Sequence, residues 1–498
     1  MSDSDSDWEE EIQHTRTSLL QEQMDPWDDP IRAASPKEIL DTVKVLKEKR
    51  APGPDAIQNK AIKLLPIKGI ATLTMITNNI FRLCYFPKLW RNADVVMIPK
   101  PGKNHSLTEN YRPIHLLPTV AKVVERIIKS RLEEYIEDHN ILPEHQFAFR
   151  RGLGTELQAL RVVETIKEGF QKKDITGAVL LDVQKAFDRV WREALIYKMI
   201  DLGIPRRFIK ITDSFLQGRT FQIKIDQSRS TTRNTEAGVP QGAVLSPTLF
   251  SIYVADLPNF PGVEVAQFAD DTLIMATSRA EALVHNRLQG YLDVLEGWTK
   301  KWRIKINAEK STAVLFTRRQ IKPSRRIKFK DSYIPWEPQM KYLGIIMDRK
   351  LTWAAHTTYA ARKGRAITAI LQPLIGRRSN MDLKNKIRVY KTIIAPTMFY
   401  GAAVWSHAAK SHRNKIQVIQ NKVLRMIVNA PWYVRNTTIM RDLEIPTTKY
   451  TLRERTSRTY ARAETHENRL VKEAVDYTTA IGHPYKRGRH AIEDVEPD

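Results

Sequence analysis

Apolar residues along the first 350 positions recur with two alternating periods, one helical and one of strands. Ile39, Leu40, Val43 and Leu46 fall on one helical face. Ser35-Pro36-Lys37-Glu38 ahead of them is a capping box with proline in the first turn. Ala51-Pro52-Gly53-Pro54-Asp55 then forces a loop. Val120, Val123, Val124, Ile127, Ile128 and Leu132 mark a second helix. Short apolar runs predict strands at 94–98, 178–181, 221–225 and 273–275. The last of these lies in a pair of runs, 263–268 and 272–276, spaced as a hairpin. Beyond about residue 350 the pattern is helical, with Ile416, Ile419, Val423 and Met426 on one face and Lys415, Lys422 and Arg425 on others. This predicts an α/β region followed by a helical one, without internal repeats.

Length and charge sharpen that picture. A chain of 498 residues holds roughly two to four packed units. The single cysteine, Cys84, excludes a disulfide framework and thiolate zinc sites. No apolar run reaches the roughly 18 residues that span a bilayer, and Met1 is followed by acids instead of a basic, apolar leader. The expectation is a soluble, intracellular protein with no membrane partner. Residues 1–30 hold ten acids and one base, Arg16, so the rest of a chain with net charge +24 carries +33. Residues 1–34 therefore read as an acidic disordered tail. Residues 361–430 carry fourteen Lys and Arg against one acid, Asp382, and residues 299–330 twelve against Glu309. A solvated face accounts for an ordinary basic run; at this density contact with a polyanion is the better reading.

Three carboxylates carry the candidate chemistry. Gly177-Ala178-Val179-Leu180-Leu181-Asp182 reads as a buried strand ending in an acid, with a helical stretch from Lys185. Taken alone, Asp182 could equally cap a helix. Asp270-Asp271 falls at the turn of the hairpin. Neighbouring carboxylates repel unless a cation or solvent separates them. Mg²⁺ prefers a few carboxylates completed by water and substrate phosphates. Three such acids could hold two metals, the arrangement that serves in-line phosphoryl transfer.

At this point the sequence resembles a known family. Asp182-Val183-Gln184-Lys185-Ala186-Phe187-Asp188, Ala237-Gly238-Val239-Pro240-Gln241-Gly242 and Phe268-Ala269-Asp270-Asp271 resemble, in order, palm motifs A, B and C of reverse transcriptases. The flavour is that of non-LTR (LINE-type) retrotransposons, nearest the jockey clade of insects. Ala51-Pro52-Gly53-Pro54-Asp55 is similar to a block those enzymes carry before the fingers. Trp90-Arg91-Asn92-Ala93, Ile98-Pro99-Lys100-Pro101-Gly102-Lys103 and Asn110-Tyr111-Arg112-Pro113-Ile114 resemble their finger strands. Trp302 through Lys310 is similar to motif D and Tyr342-Leu343-Gly344 to the primer grip. The likeness spans roughly residues 38–350 and, more loosely, the helical remainder.

The resemblance implies an α/β right-hand polymerase with fingers, palm and a basic helical thumb. Its succession would be the acidic tail (1–34), an N-terminal extension with fingers (35–176), a palm (177–350, within a fingers and palm region of about 80–350), the thumb (351–430) and a C-terminal extension (431–498). It implies an RNA-directed DNA polymerase that adds deoxynucleotides to a primer 3′-end. Asp182, Asp270 and Asp271, helped by the Val183 carbonyl, would bind two Mg²⁺ ions, with Mn²⁺ as a substitute. Lys100 and Arg112 would grip the dNTP triphosphate, Phe187 would wall off a ribose 2′-hydroxyl, Gln241 would touch nucleotide and template, and Lys310 would give a proton to the leaving pyrophosphate. For each, a plain structural role is the competing expectation: a core aromatic for Phe187, a turn for Gln241, surface cations for the rest.

The implied partners are an RNA template, a DNA primer, target DNA and the element's RNA-binding protein. The implied location is the nucleus with a cytoplasmic phase, although no clear signal marks it. Two positions depart from the family pattern: Ala148 stands where glycine is usual and His115 where serine is. Elements of this kind also carry an apurinic-like endonuclease ahead of the polymerase. The residues before the first matched block are too few for one, so the chain reads as an element copy or fragment lacking that domain. The rival from another class is a catalytically silent nucleic-acid-binding relic, and a nearer one is RNA-templated RNA synthesis. Retention of all three aspartates speaks against the first, and Phe187 against the second.

Overall fold

The computed structural model describes residues 3–22 and 30–477; residues 478–498 of the expected C-terminal extension lie outside them. The strands used below are β1 (Asn92–Pro99), β2 (Tyr111–Leu116), β3 (Ile175–Leu181), β4 (Thr220–Ile225), β5 (Ser228–Arg229), β6 (Arg233–Asn234), β7 (Val263–Phe268), β8 (Asp271–Ser278) and β9 (Thr312–Phe316). Each predicted strand is present; 263–268 keeps its bounds and the others are lengthened at one or both ends. The chain forms two compact units, one from residues 1–149, 183–257 and 297–305, the other from 150–182, 258–296 and 306–498. Residues 177–350, expected as a palm, contribute to both: 183–257 and 297–305 pack in the first unit and the rest in the second.

The first unit is helical around one core, with a sheet in the order β2-β1-β4-β5 and β6 on β4. The predicted helix at 120–132 is Thr119–Asp138, burying Val123, Val124, Ile127, Ile128 and Leu132. The first capped helix is Pro36–Lys44, where the Ser35 hydroxyl accepts the Glu38 N–H at 3.2 Å. Ile39, Val43 and Leu46 are buried, whereas Leu40 is 38% exposed. The acidic start departs most from expectation: Asp3–Gln21 is a helix. Trp8, Ile12 and Leu19 form a stripe within it, Ile12 fully buried. Trp8 packs edge-on against Tyr197 and Trp302 at 5.2 and 5.6 Å between ring centroids, and Arg16 pairs with Asp213 at 2.8 Å. Burial of this stripe outweighs the repulsion among its acids.

The second unit is built on the antiparallel sheet β7-β8-β3-β9. Ala178, Ala266, Leu273, Met275, Val314 and Phe316 feed its core. The helical remainder starts with Ala354–Ile375, four residues past the expected boundary. The stripe Ile416, Ile419 and Val423 is buried on Lys410–Val428. No break separates a thumb at 430 from an extension. Ile439, Ile445 and Leu452 join the same apolar cluster as Ile419 and Val423, and Gln420 donates to the Pro446 carbonyl at 2.7 Å. Trp353 and Trp405 lie fully buried here, as Trp302 is in the first unit. Among the described residues, no helix is long and apolar enough to cross a membrane.

Candidate active site

The second unit assembles the three acids. β3 and β8 pair antiparallel, with Leu180 opposite Leu273 and Leu181 opposite Thr272. One step further along that register sets Asp182 opposite Asp271. Facing residues share a face of the sheet, with Cβ atoms about 4.5–5.5 Å apart. Phe268 closes the hairpin against Asp271, leaving Ala269-Asp270 as a two-residue turn. Ala269 has φ 57°, an uncommon conformation for a residue with a Cβ, held here at the tip of the site. Asp182 and Asp270 both reach solvent.

Behind Asp182, residues 307–311 form a bracket. The Asn307 N–H donates to the Asp182 carbonyl at 2.8 Å, and the Asp182 N–H donates to Ser311 Oγ at 3.1 Å. Ser311 Oγ in turn donates to the Asn307 carbonyl at 2.7 Å. The Lys310 N–H donates to Asn307 Oδ1 at 3.3 Å, which ties this exposed lysine to the segment that holds Asp182. Asp271 also reaches solvent, yet lost hydration, then repulsion from Asp270 and Asp182, pushes its pKa up to about 6. Among the described residues, no group of three or more His, Cys, Asp or Glu side chains is drawn together as tightly as around a bound ion. The mutual repulsion felt at Asp271 nevertheless fits a site for divalent cations, because such an ion relieves it.

The first unit assembles the other group. Asp182 is followed by Val183, half-buried, and then by turns through Arg189 instead of the expected helix; Lys185 has φ 49°, and helix starts at Arg192. The Val239 N–H donates to the Phe187 carbonyl at 2.8 Å, and the Gly238 N–H to the Val190 carbonyl at 2.8 Å. These bonds bind the loops of motifs A and B side by side. A Cβ on Gly238, at φ 82°, would lie 2.6 Å from the Asp188 carbonyl oxygen, so the contact requires glycine. Phe187, half-buried, stacks on the buried Phe250 at 5.0 Å and 24°. Gln241 Nε2 donates to Asp188 Oδ1 at 2.9 Å. Burial raises the pKa of Asp188, against the lowering effects of Gln241, Lys185 and Lys100.

Lys100 and Arg112 sit on the β1–β2 pair. Ile98 faces Arg112, and Lys100 lies two residues on, so the cations share a face as diagonal neighbours. Lys100 Nζ donates to the Glu109 carbonyl at 2.8 Å, while Arg112 is exposed. β2 is anchored to motif B, since the His115 N–H donates to the Gln241 carbonyl at 2.7 Å. His115 itself is held neutral, its pKa lowered to about 4 by burial and by Arg219. Ala148, the other departure, is fully buried with its N–H on Gln146 Oε1 at 3.0 Å.

The family model described as "Reverse transcriptase (RNA-dependent DNA polymerase)" matches residues 98–347, just over half of the chain. The chain belongs to the reverse transcriptase family. It is 38% identical over 469 residues to "RNA-directed DNA polymerase from mobile element jockey" of Drosophila funebris, covering 93% of this chain and 51% of that protein. It is equally 38% identical over 469 residues to "Probable RNA-directed DNA polymerase from transposon X-element" of Drosophila melanogaster, with the same coverage. The chain thus spans about half the length of these relatives. Among solved structures, apo telomerase from Candida tropicalis matches with TM-score 0.41 and 12% identity, over 78% of this chain and 65% of that one.

The sequence motifs leave some supporting residues of this site without a role. Asp188 lies inside motif A, but nothing in the sequence pairs it with Gln241. Ser311 and Asn307 hold Asp182 by backbone contacts that no residue pattern announces. The aspartate cluster also gives a pH signature. A carboxyl whose pKa is raised on folding favours the protonated native state, so that contribution is full below its ordinary value near 4 and is lost as pH rises through about 6. Thermal stability of the metal-free protein should therefore gain from Asp271 at pH 5 relative to pH 7. The rise in Tm caused by Mn²⁺ should grow over the same interval, because the ion competes with that proton. Melting curves with and without Mn²⁺ from pH 5 to 7.5 check this; a Tm increment constant across the interval would contradict it.

Proposed function

We propose that this chain performs RNA-templated DNA synthesis, adding deoxynucleotides to a DNA primer 3′-end and releasing pyrophosphate. The observation that supports it most is the register bringing Asp182 opposite Asp271, with Asp270 in the adjoining turn. Asp182, Asp270 and Asp271, with the Val183 carbonyl, hold the divalent cations of this family, for which two Mg²⁺ is our reading. When bound, these supply charge neutralisation on phosphate oxygens and ease deprotonation of the primer hydroxyl. Lys100 and Arg112 clamp the triphosphate, Arg112 through its planar fork and Lys100 as a point charge. Lys310 gives a proton to the departing pyrophosphate. Gln241, its amide fixed by Asp188, positions the nucleotide. The basic segments bind the template–primer hybrid through its phosphates, so affinity should fall steeply with salt. We extend the proposal to target DNA and the element's RNA-binding protein as partners, with action in the nucleus.

Phe187 supplies the sugar test. Its ring, fixed by Phe250, stands as a wall that a ribose 2′-hydroxyl would strike. On poly(rA)/oligo(dT), the native chain should incorporate dTTP and exclude UTP. Phe187→Val should raise the ratio of UTP to dTTP incorporation by roughly tenfold or more. An unchanged ratio removes Phe187 from this role. A native chain that binds the hybrid and incorporates neither nucleotide would sink the polymerase reading in favour of a silent binder.

A further inference from the structure

The second unit presents one aromatic pair that its core does not use. The segment Ala430-Pro431-Trp432-Tyr433-Val434 joins the helices Lys410–Val428 and Asn436–Asp442. Trp432 is 89% exposed and Tyr433 70%, whereas Trp353 and Trp405 of the same unit are fully buried. The two exposed rings lie 6.0 Å apart, edge to face at 79°.

The loop carrying them is held open by a specific device. Arg425 Nη1 donates to the Pro431 carbonyl at 3.0 Å. Its Nη2 donates to the Trp432 carbonyl at 3.2 Å and to the Val434 carbonyl. One guanidinium thus satisfies three carbonyls and fixes the backbone beneath the rings. Keeping an indole in water forfeits the burial that a partner could provide, so a clamp that fixes it outward calls for a partner.

The surroundings select that partner. Residues 410–441 contain seven Lys and Arg and no acid. Lys422, one turn before Arg425, and Arg435, just after the loop, are both exposed. Exposed aromatic faces in so basic a segment suit an unpaired nucleobase flanked by its phosphates. A duplex, whose bases are already stacked, offers those rings no face.

We propose that Trp432 and Tyr433 form a stacking platform for unpaired nucleotides, RNA or DNA, with Lys422 and Arg435 on the adjoining phosphates. This deepens the proposed function, since templated synthesis requires unpaired template, but the binding itself does not depend on activity. The test therefore uses the full chain carrying Asp270→Asn, so that no synthesis contributes. Fluorescence anisotropy would compare oligo(rU), oligo(dT) and a blunt RNA–DNA hybrid. Trp432→Ala should weaken binding of one or both single strands roughly five- to thirtyfold and leave the blunt hybrid within about twofold. Trp432→Phe should restore most of the loss, and Tm should stay unchanged because the ring is exposed. The defect should persist in high salt, unlike that of Lys422→Ala, which acts through phosphate. Which strand loses more identifies whether RNA or DNA occupies the platform.

Equal weakening of hybrid and single strands, or no weakening of either, would overturn the platform. So would loss of self-association on Trp432→Ala in sedimentation, which would make the rings a contact between copies of the chain. A selective single-strand defect in a chain that proved unable to polymerise would leave the platform standing and remove only the polymerase reading.

Discussion

Asp271→Asn should lower single-turnover dTTP incorporation by about a thousandfold or more while making the metal-free protein more stable at pH 7. The two effects have one origin. Lost hydration, then repulsion from Asp270 and Asp182, raises the Asp271 pKa to about 6. At pH 7 Asp271 is ionised against that pressure, and the neutral amide removes the repulsion, so the melting temperature should rise. On the proposed function the same carboxylate helps hold divalent cations, whose charge stabilisation would be worth several kcal/mol in the transition state, and about 4 kcal/mol corresponds to a thousandfold. Mn²⁺, which should stabilise the native chain, should give the variant a markedly smaller rise in Tm. Affinity for the template–primer should remain within about twofold, because phosphate contacts elsewhere supply it. A variant that lost activity and stability together would point to a folding defect, and one that kept its rate would remove Asp271 from the site.

Gly238→Ala should lower the incorporation rate roughly a hundredfold without disturbing the aspartates. The reason is local. Gly238 holds φ 82° with its Cα against Asp188, where a methyl group would come within 2.6 Å of the Asp188 carbonyl oxygen. The backbone would have to retreat, and the neighbouring Val239 N–H to Phe187 carbonyl bond would lengthen with it. Phe187 and Gln241 would both shift, since Gln241 is hydrogen-bonded to Asp188. The signature that separates this from general destabilisation is a higher KM for dTTP together with weaker exclusion of UTP. The Mn²⁺-dependent rise in Tm should stay native, because the acids belong to the other compact unit. A variant with native kinetics would show that the two loops need no such close approach.

Local pattern carried much of this. The stripe at 120–132 could only be a helix with one buried face, and the acids at the end of β3 and in the β7–β8 turn were legible because strand ends and short turns bring side chains to solvent. What escaped was non-local. The pairing of β3 with β8 joins residues nearly a hundred positions apart, so no local period reveals which strands share the sheet that carries the acids. The acidic start is a helix because its stripe of Trp8, Ile12 and Leu19 is buried, which outweighs the charge that predicts disorder. The stretch after Asp182 carries helix-forming residues, but Gly238 and Val239 take its backbone carbonyls and turns replace the helix. Trp432 shows the reverse. It lies in a basic helical region like Trp405, yet it is exposed, on a loop whose carbonyls Arg425 gathers across several residues.

The claim that Asp182, Asp270 and Asp271 form a centre for RNA-templated DNA synthesis is tested most directly by primer extension on poly(rA)/oligo(dT) with Mg²⁺, comparing the native chain with Asp270→Asn at matched hybrid occupancy. The account expects a ladder of dTTP additions from the native chain and none above background from the variant, with equal binding by both. Equal incorporation by the two proteins would contradict it.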